Sequence, residues 1–222
     1  MPTIAFVSSK GGVGKSTSAV LLAMGLVKRG LAVTLADSDP NLPLTAWSRF
    51  GWRPDAITVL QAPHFHDLPG VLRKAKAGAP KASEPWVIVD TEGGAPAMAG
   101  AAVARADLVI TPLSSSWLEA REALKIAGVV AEACRRERRP IPVVGLFSRL
   151  PSSHRRSVED AKTLLTANNL PVLEAVLTDR EIFRSLFARK EAVTKLTEGK
   201  SRAYQAARDQ IDALSAEVMA FF

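Results

Sequence analysis

The first 28 residues constrain the fold more than any other part of the chain. Thr3–Ser8 (TIAFVS) is a short apolar run rich in β-formers. Lys10-Gly11-Gly12-Val13-Gly14-Lys15-Ser16-Thr17 follows it, and Ser16–Lys28 (STSAVLLAMGLVK) has helical composition. Strand, glycine loop and helix in that order build a cradle for phosphate. The glycines let backbone N–H groups close around anionic oxygens, and the helix N-terminus adds its dipole. In such a cradle Lys15 brings a point charge to the β- and γ-phosphates, and the Ser16 hydroxyl ligates Mg2+. The pattern G-x-x-x-x-G-K-[ST] is met at every position but the first, where Ser9 stands. A chance glycine-rich turn is the alternative. The strand before and the helix after the loop weigh against it.

The rest of the chain repeats the alternation. Leu31–Ala36 reads as a second strand ending in Asp37-Ser38-Asp39-Pro40, and Pro40 and Pro43 mark a turn. Strands are expected at Ile57–Gln61, Trp86–Val89, Asp107–Ile110 and Val143–Phe147, with Val172–Val176 at an edge. Helices are expected at Thr45–Phe50, Asp67–Ala77, Ala95–Ala106, Leu118–Arg136, Ser157–Asn168, Glu181–Ala188 and Ser201–Phe222. Near-continuous apolar strands alternating with helices predict a doubly wound, mostly parallel α/β sheet flanked by helices. No linker, repeat or low-complexity tract interrupts the pattern. One domain over residues 1–222 is therefore expected.

The loop form K-G-G-V-G-K-S, with Lys10 ahead of the glycines, resembles the deviant Walker A motif of the ParA/MinD superfamily of P-loop ATPases. The resemblance runs through most of the chain. Asp37-Ser38-Asp39-Pro40 matches the family's D-x-D-P after its second strand. Asp90-Thr91 matches the Walker B aspartate, and Thr111-Pro112 closes the next strand as in the family. After Asp90-Thr91 the family usually has Pro-Pro, whereas this chain has Glu92-Gly93-Gly94. In that respect it resembles the VirC1-like branch, which acts in conjugative DNA transfer.

The resemblance implies a mechanism. ATP is sandwiched between two subunits, and Lys10 reaches across to the partner's phosphates, a lysine version of an arginine finger. Gly11, Gly12, Val13, Gly14, Lys15, Ser16 and Thr17 hold the nucleotide, with Thr17 at the α-phosphate. Lys10, Lys15 and Asp39 are the catalytic set, with Asp39 placing the attacking water. Ser16, Asp37 and Asp90 hold Mg2+, largely through its waters. From the residues alone, two carboxylates at the end of one parallel strand lie on the sheet edge where ligands bind. A helix cap is the alternative for either. Ser148 stands where the family often has an asparagine that reads the base. Glu92 reads as a surface or interface residue in preference to a general base.

Composition narrows the partners. The net charge is +7, from 29 basic and 22 acidic residues. Such a balance suits a polyanion, either nucleic acid or an anionic membrane. Basic residues gather in the second half: seven arginines against one acid over Arg135–Arg156, and seven basic residues against three acids over Arg180–Arg202. The resemblance makes Arg155, Arg156, Arg184, Arg189, Lys195, Lys200 and Arg202 candidates for sequence-independent DNA contacts. A solvated basic helix face is the alternative for each. It also implies a homodimer in the ATP state, a ParB-like partner that stimulates hydrolysis, and a cytoplasmic, nucleoid-associated location. A MinD-like membrane switch ends in a basic amphipathic helix, but Asp212–Phe222 carries two acids and no Lys or Arg. No apolar run is long enough to span a membrane, so no integral membrane association is expected. The start of the chain lacks the basic segment of a signal peptide. One cysteine, Cys134, excludes an iron–sulfur relative. A small-molecule kinase stays open, since it uses the same cradle. His64, His66 and His154 lack the spacing of a metal site, and Trp47 and Trp52 read as packing residues.

Overall fold

Successive residues of a strand face opposite sides of its sheet, and β1 (Thr3–Phe6) shows what this demands here. Ile4 and Phe6 enter one apolar core, while Ala5 and Val7 enter another on the opposite face. A strand with no polar face belongs in the middle of a sheet covered on both sides. In a computed structural model of the chain, which describes residues 1–49, 53–78, 84–151, 155–189 and 191–222, β1 is central. The sheet has six strands in the order β3-β2-β4-β1-β5-β6. The others are β2 (Val33–Ser38), β3 (Ile57–Gln61), β4 (Trp86–Thr91), β5 (Leu108–Leu113) and β6 (Val143–Phe147). All pairings are parallel.

Helices cover both faces. α1 (Lys15–Lys28) lies between the sheet and the C-terminal helix α9 (Arg202–Met219), so it is apolar nearly all round. It stops at Gly30, which takes φ +81°. Leu31 N–H then bonds the Leu26 carbonyl at 3.2 Å and Gly30 N–H the Val27 carbonyl at 2.8 Å, closing the last turn. α9 buries Ala207, Ile211, Leu214 and Val218. Its Ser215 sits directly over Gly25 of α1, where a Cβ would come within 2.6 Å of the Ser215 hydroxyl. α2 (Pro43–Arg49) and the short α8 (Glu191–Glu198) complete this face. α3 (Leu68–Ala77), α4 (Pro96–Val103) and α5 (Trp117–Glu137) cover the other, and α6 (Arg155–Ala167) packs with α5 beyond β6.

The structure departs from the sequence reading in several places, and α8 is a helix that the reading did not include. Val172–Val176 is not a regular strand. It touches β6 through a single bridge from Gly145 to Val172. The Glu217 carboxylate of α9 instead accepts the N–H groups of Glu174 and Ala175, at 2.8 and 2.9 Å. The segment after it is α7 (Glu181–Arg184) followed by a 3-10 turn over Ser185–Phe187, in place of one helix to Ala188. β5 runs through Pro112 where the sequence pattern ended it at Ile110. Its pairing to β1 stops at Ile110, so the missing Pro112 N–H leaves no gap on that side. Trp47 is buried in the core, as its packing reading expects, while Phe50, Trp52 and His154 lie outside the described residues.

Candidate phosphate and magnesium site

The strand order gathers the chemistry. β4 lies between β1 and β2, with Phe6 opposite Asp90 and Asp37 opposite Asp90 in register. The glycine loop leaves β1 at the same edge. Residues far apart in sequence therefore meet at the carboxyl ends of three neighbouring strands, where α/β sheets bind ligands.

Gly12 and Gly14 take φ +80° and +91°, which a side chain would strain. That backbone turns the loop around the start of α1. The Lys15 ammonium is buried, 6% of the residue being exposed. It folds back to donate to the Ser8 hydroxyl at 2.9 Å and the Lys10 carbonyl at 3.1 Å. Burial holds its pKa below the usual lysine value, against the charges of Asp90, Asp39 and Glu92. Ser8 in turn donates to the Lys10 carbonyl at 2.6 Å. One hydroxyl, one carbonyl and the Lys15 ammonium thus fix the inner rim of the cradle.

The carboxylates lie beneath it. Asp90 has no exposed surface, and neither of its oxygens has a hydrogen-bond partner among the described residues. Burial pushes its pKa up to about 7, with the nearby Ser16 hydroxyl and Lys15 charge acting the other way. Asp37 is equally buried, and burial raises its pKa as well. One of its oxygens accepts the Thr45 N–H of α2 at 2.7 Å, and the other is unpartnered. Asp37 is therefore both a helix cap and a free acceptor. The set fits Mg2+: orphaned carboxylate oxygens below a serine hydroxyl, facing a phosphate cradle. No three His, Cys, Asp or Glu side chains converge on a metal among the described residues. Asp39 lines the cleft above, with one oxygen held by the Asn41 N–H at 2.8 Å and side-chain amide at 2.9 Å.

The cleft has a volume of about 350 Å³. Gly11, Gly12, Gly14, Lys15, Ser16 and Thr17 form one wall. A model of the VirC1 protein family matches residues 1–210. This chain belongs to the VirC1 family. It falls within the ParA/MinD group of deviant Walker A ATPases. A ParA protein of Rhizobium radiobacter is 32% identical over 197 residues, covering 84% of this chain and 82% of that protein. A MinD septum-site-determining protein from Pyrococcus horikoshii, solved with Mg-ADP, has the same fold. It is 18% identical with a TM-score of 0.71, covering 100% of this chain and 98% of that one. A plasmid partition protein from Borrelia burgdorferi bound to AMPPNP gives a TM-score of 0.68 at 16% identity, covering 99% of both chains.

The VirC1-family cleft is also shaped by residues beyond the phosphate loop and its carboxylates, some in roles that the sequence did not indicate. Gly93 presses its backbone on the loop: a Cβ there would stand 2.5 Å from the Lys10 carbonyl group and 2.6 Å from the Gly11 nitrogen. Gly94, at φ +84°, bonds the Ser8 carbonyl through its N–H at 3.3 Å. Gly93-Gly94 is thus a backbone buttress for the cradle. Ser148 donates to the Val13 carbonyl at 2.6 Å, and Arg149 to the Gly12 carbonyl. The far wall comprises Leu177, Asp179, Phe183 and Phe187. No one residue type marks these positions in the sequence, and tertiary placement alone brings them in.

The remaining candidates fall elsewhere. Lys10 does not line its own chain's cleft. It shares a small crevice with Glu119 and Glu122, and Glu122 accepts the Ser9 hydroxyl at 2.8 Å. Arg184 faces the nucleotide cleft and pairs with Asp179 at 2.8 Å and Glu181 at 3.1 Å. Arg189 and Lys195 line an adjoining cavity of about 510 Å³, together with Arg180, Tyr204, Glu181 and Glu191. Lys200 and Arg202 are exposed at the start of α9. The side chains of Arg155 and Arg156 lie outside the described residues.

Two predictions follow from this geometry. Gly93→Ala forces backbone apart from backbone, so it weakens a fluorescent ATP analogue about tenfold or more and destabilises the chain by about 1–3 kcal/mol. Unchanged affinity in equilibrium titration would refute the buttress. Asp90 keeps a proton in the folded state up to about pH 7, while the unfolded chain releases it near its ordinary value of 3.8. Without metal or nucleotide, stability therefore falls as pH rises across that window and levels off above it. Asp90→Asn flattens the slope in urea titrations. Equal slopes in the two proteins would contradict the assignment.

Proposed function

We propose that this chain is an ATP-hydrolysing switch. It dimerises around Mg–ATP, binds DNA without sequence preference in that state, and acts in partition or positioning of DNA. The observation that carries the reading is a complete phosphate cradle over orphaned carboxylates in one chain, with Lys10 outside that chain's own cleft. A lysine placed there is available to a second subunit's phosphates and not to its own.

The roles follow from the placements. Gly11–Thr17 wrap the phosphates, and Lys15 exchanges its contacts with Ser8 and Lys10 for a phosphate oxygen. Ser16, Asp37 and Asp90 hold Mg2+, which supplies charge neutralisation to the phosphates. Asp39, fixed by Asn41, orients water in the cleft. Lys10 of the second subunit stabilises charge as the phosphoryl group leaves. ATP favours the dimer because it touches both subunits, and hydrolysis removes that preference.

The DNA-binding surface is proposed on the basic residues around α6 to α9: Arg155, Arg156, Arg189, Lys195, Lys200 and Arg202. Arg184, already engaged by two acids at the cleft, contributes to that cleft before it contributes to DNA. A ParB-like partner stimulates hydrolysis, and the setting is the cytoplasm on the nucleoid. The VirC1-family match favours a second reading, conjugative DNA transfer, in which the same switch acts on transferred DNA. No helix among the described residues is long and apolar enough to cross a membrane.

The test is DNA retention by the purified protein with ATP–Mg2+, with ADP and without nucleotide, across a salt series. Binding is expected only with ATP–Mg2+, independent of sequence, and lost steeply as salt rises. Lys15→Ala abolishes it together with nucleotide binding. No DNA binding in any state would overturn the reading in favour of a protein- or membrane-positioning ATPase.

A further inference from the structure

Two arginines line the nucleotide cleft, and they differ in how they are balanced. Arg184 is neutralised by Asp179 and Glu181. Arg149 pairs with no carboxylate among the described residues. Its guanidinium instead donates to the carbonyl of Gly12, on the phosphate loop itself. Its stem lies along the loop, with Cγ and Cδ 3.4 and 3.5 Å from where a Cβ at Gly14 would stand.

The backbone holds the side chain there at a cost. Arg149 has φ +54°, in the left-handed region that non-glycine residues avoid. Its neighbours fix that conformation. Ser148 N–H bonds the Leu113 carbonyl at 2.8 Å, and its hydroxyl bonds the Val13 carbonyl. Leu150 N–H bonds the Leu177 carbonyl at 3.2 Å, and Leu150 in turn accepts the Asp179 N–H at 2.8 Å. Strain that the surroundings over-determine is a mark of a functional position. The pinned backbone and the bond to Gly12 aim the guanidinium at the loop, although the residue itself is exposed.

We propose that Arg149 is a phosphate-binding residue of the nucleotide site, acting in the same chain as the loop it touches. On nucleotide binding its guanidinium exchanges the Gly12 carbonyl for phosphate oxygens. An anion is the better partner, because charge-assisted bonds from a planar guanidinium are stronger than those to a neutral carbonyl. The proposal rests on the nucleotide reading of the cleft. It differs from the lysine supplied by a second subunit, since it needs no dimer.

The experiment uses the full chain and a fluorescent, non-hydrolysable ATP analogue under conditions where the protein is monomeric. Arg149→Met keeps the stem over Gly14 and removes the charge, and Arg149→Lys restores a charge without the planar fork. The expected result is affinity weakened about tenfold or more in Arg149→Met and partly restored in Arg149→Lys. The thermal midpoint of the nucleotide-free protein should change little, because the bond lost to the Gly12 carbonyl is an exposed one. Wild-type affinity in Arg149→Met would overturn the proposal. So would a lowered nucleotide-free midpoint with affinity lost equally in Arg149→Lys, which marks a structural strap. Lys15→Ala is the control: if it binds the analogue normally, the nucleotide reading itself has failed, independently of Arg149.

Discussion

Asp90 is a carboxyl group without exposed surface and, among the described residues, with both oxygens unpartnered, in the middle strand of three, next to a second buried carboxylate on β2. Such groups destabilise a fold unless something neutralises them. The nearby cation is Lys15, itself buried and folded onto the loop. Two like carboxyls and one ammonium form an arrangement that a divalent ion and a phosphate chain would complete. Much of the architecture serves to create it. The order β2-β4-β1 sets the carboxylates side by side and runs the loop off β1 above them. The buttress at Gly93 and the bonds from Ser148 and Arg149 hold the loop from both flanks.

The cradle was legible because its chemistry needs contiguous residues. A glycine loop between strand and helix carries its own context, and Asp37, Asp39 and Asp90 announce themselves by ending apolar strands. The parallel sheet was legible for the same reason, as strands such as Trp86–Thr91 have no polar face. What was not legible depends on placement. Gly93 matters because it lies against Lys10, and nothing local distinguishes it from Gly94. Arg149 sits in a run of arginines and serines that looks like surface. α8 was missed because two threonines and a short length weaken its pattern, although Ala192, Val193 and Leu196 bury one face. Val172–Val176 was over-read because its apolar residues resemble a strand, while Glu217 takes N–H groups that a ladder would use.

The basic half of the chain divides along similar lines. Charge counting cannot separate an arginine that pairs inward from one that faces a polyanion. Arg184 turns to Asp179 and Glu181, Arg139 donates to the carbonyls of Ala104 and Ala106, and Arg208 caps the end of α8 through Leu196 and Gly199. Each is spent on internal bonds. Lys200 and Arg202 remain exposed at the start of α9. The net charge of +7 therefore overstates the basic surface that is free of internal partners, and the arrangement around α8 and α9 matters more than the total.

The central claim is that loop and buried carboxylates form one magnesium–nucleotide site. Calorimetric titration of ATP into the chain, with Mg2+ and with a chelator, tests it most directly. One nucleotide per chain is predicted, with affinity about tenfold or more weaker without Mg2+ and an Asp90→Asn variant that no longer responds to the ion. Binding indifferent to Mg2+, or a full magnesium response in Asp90→Asn, would contradict the account.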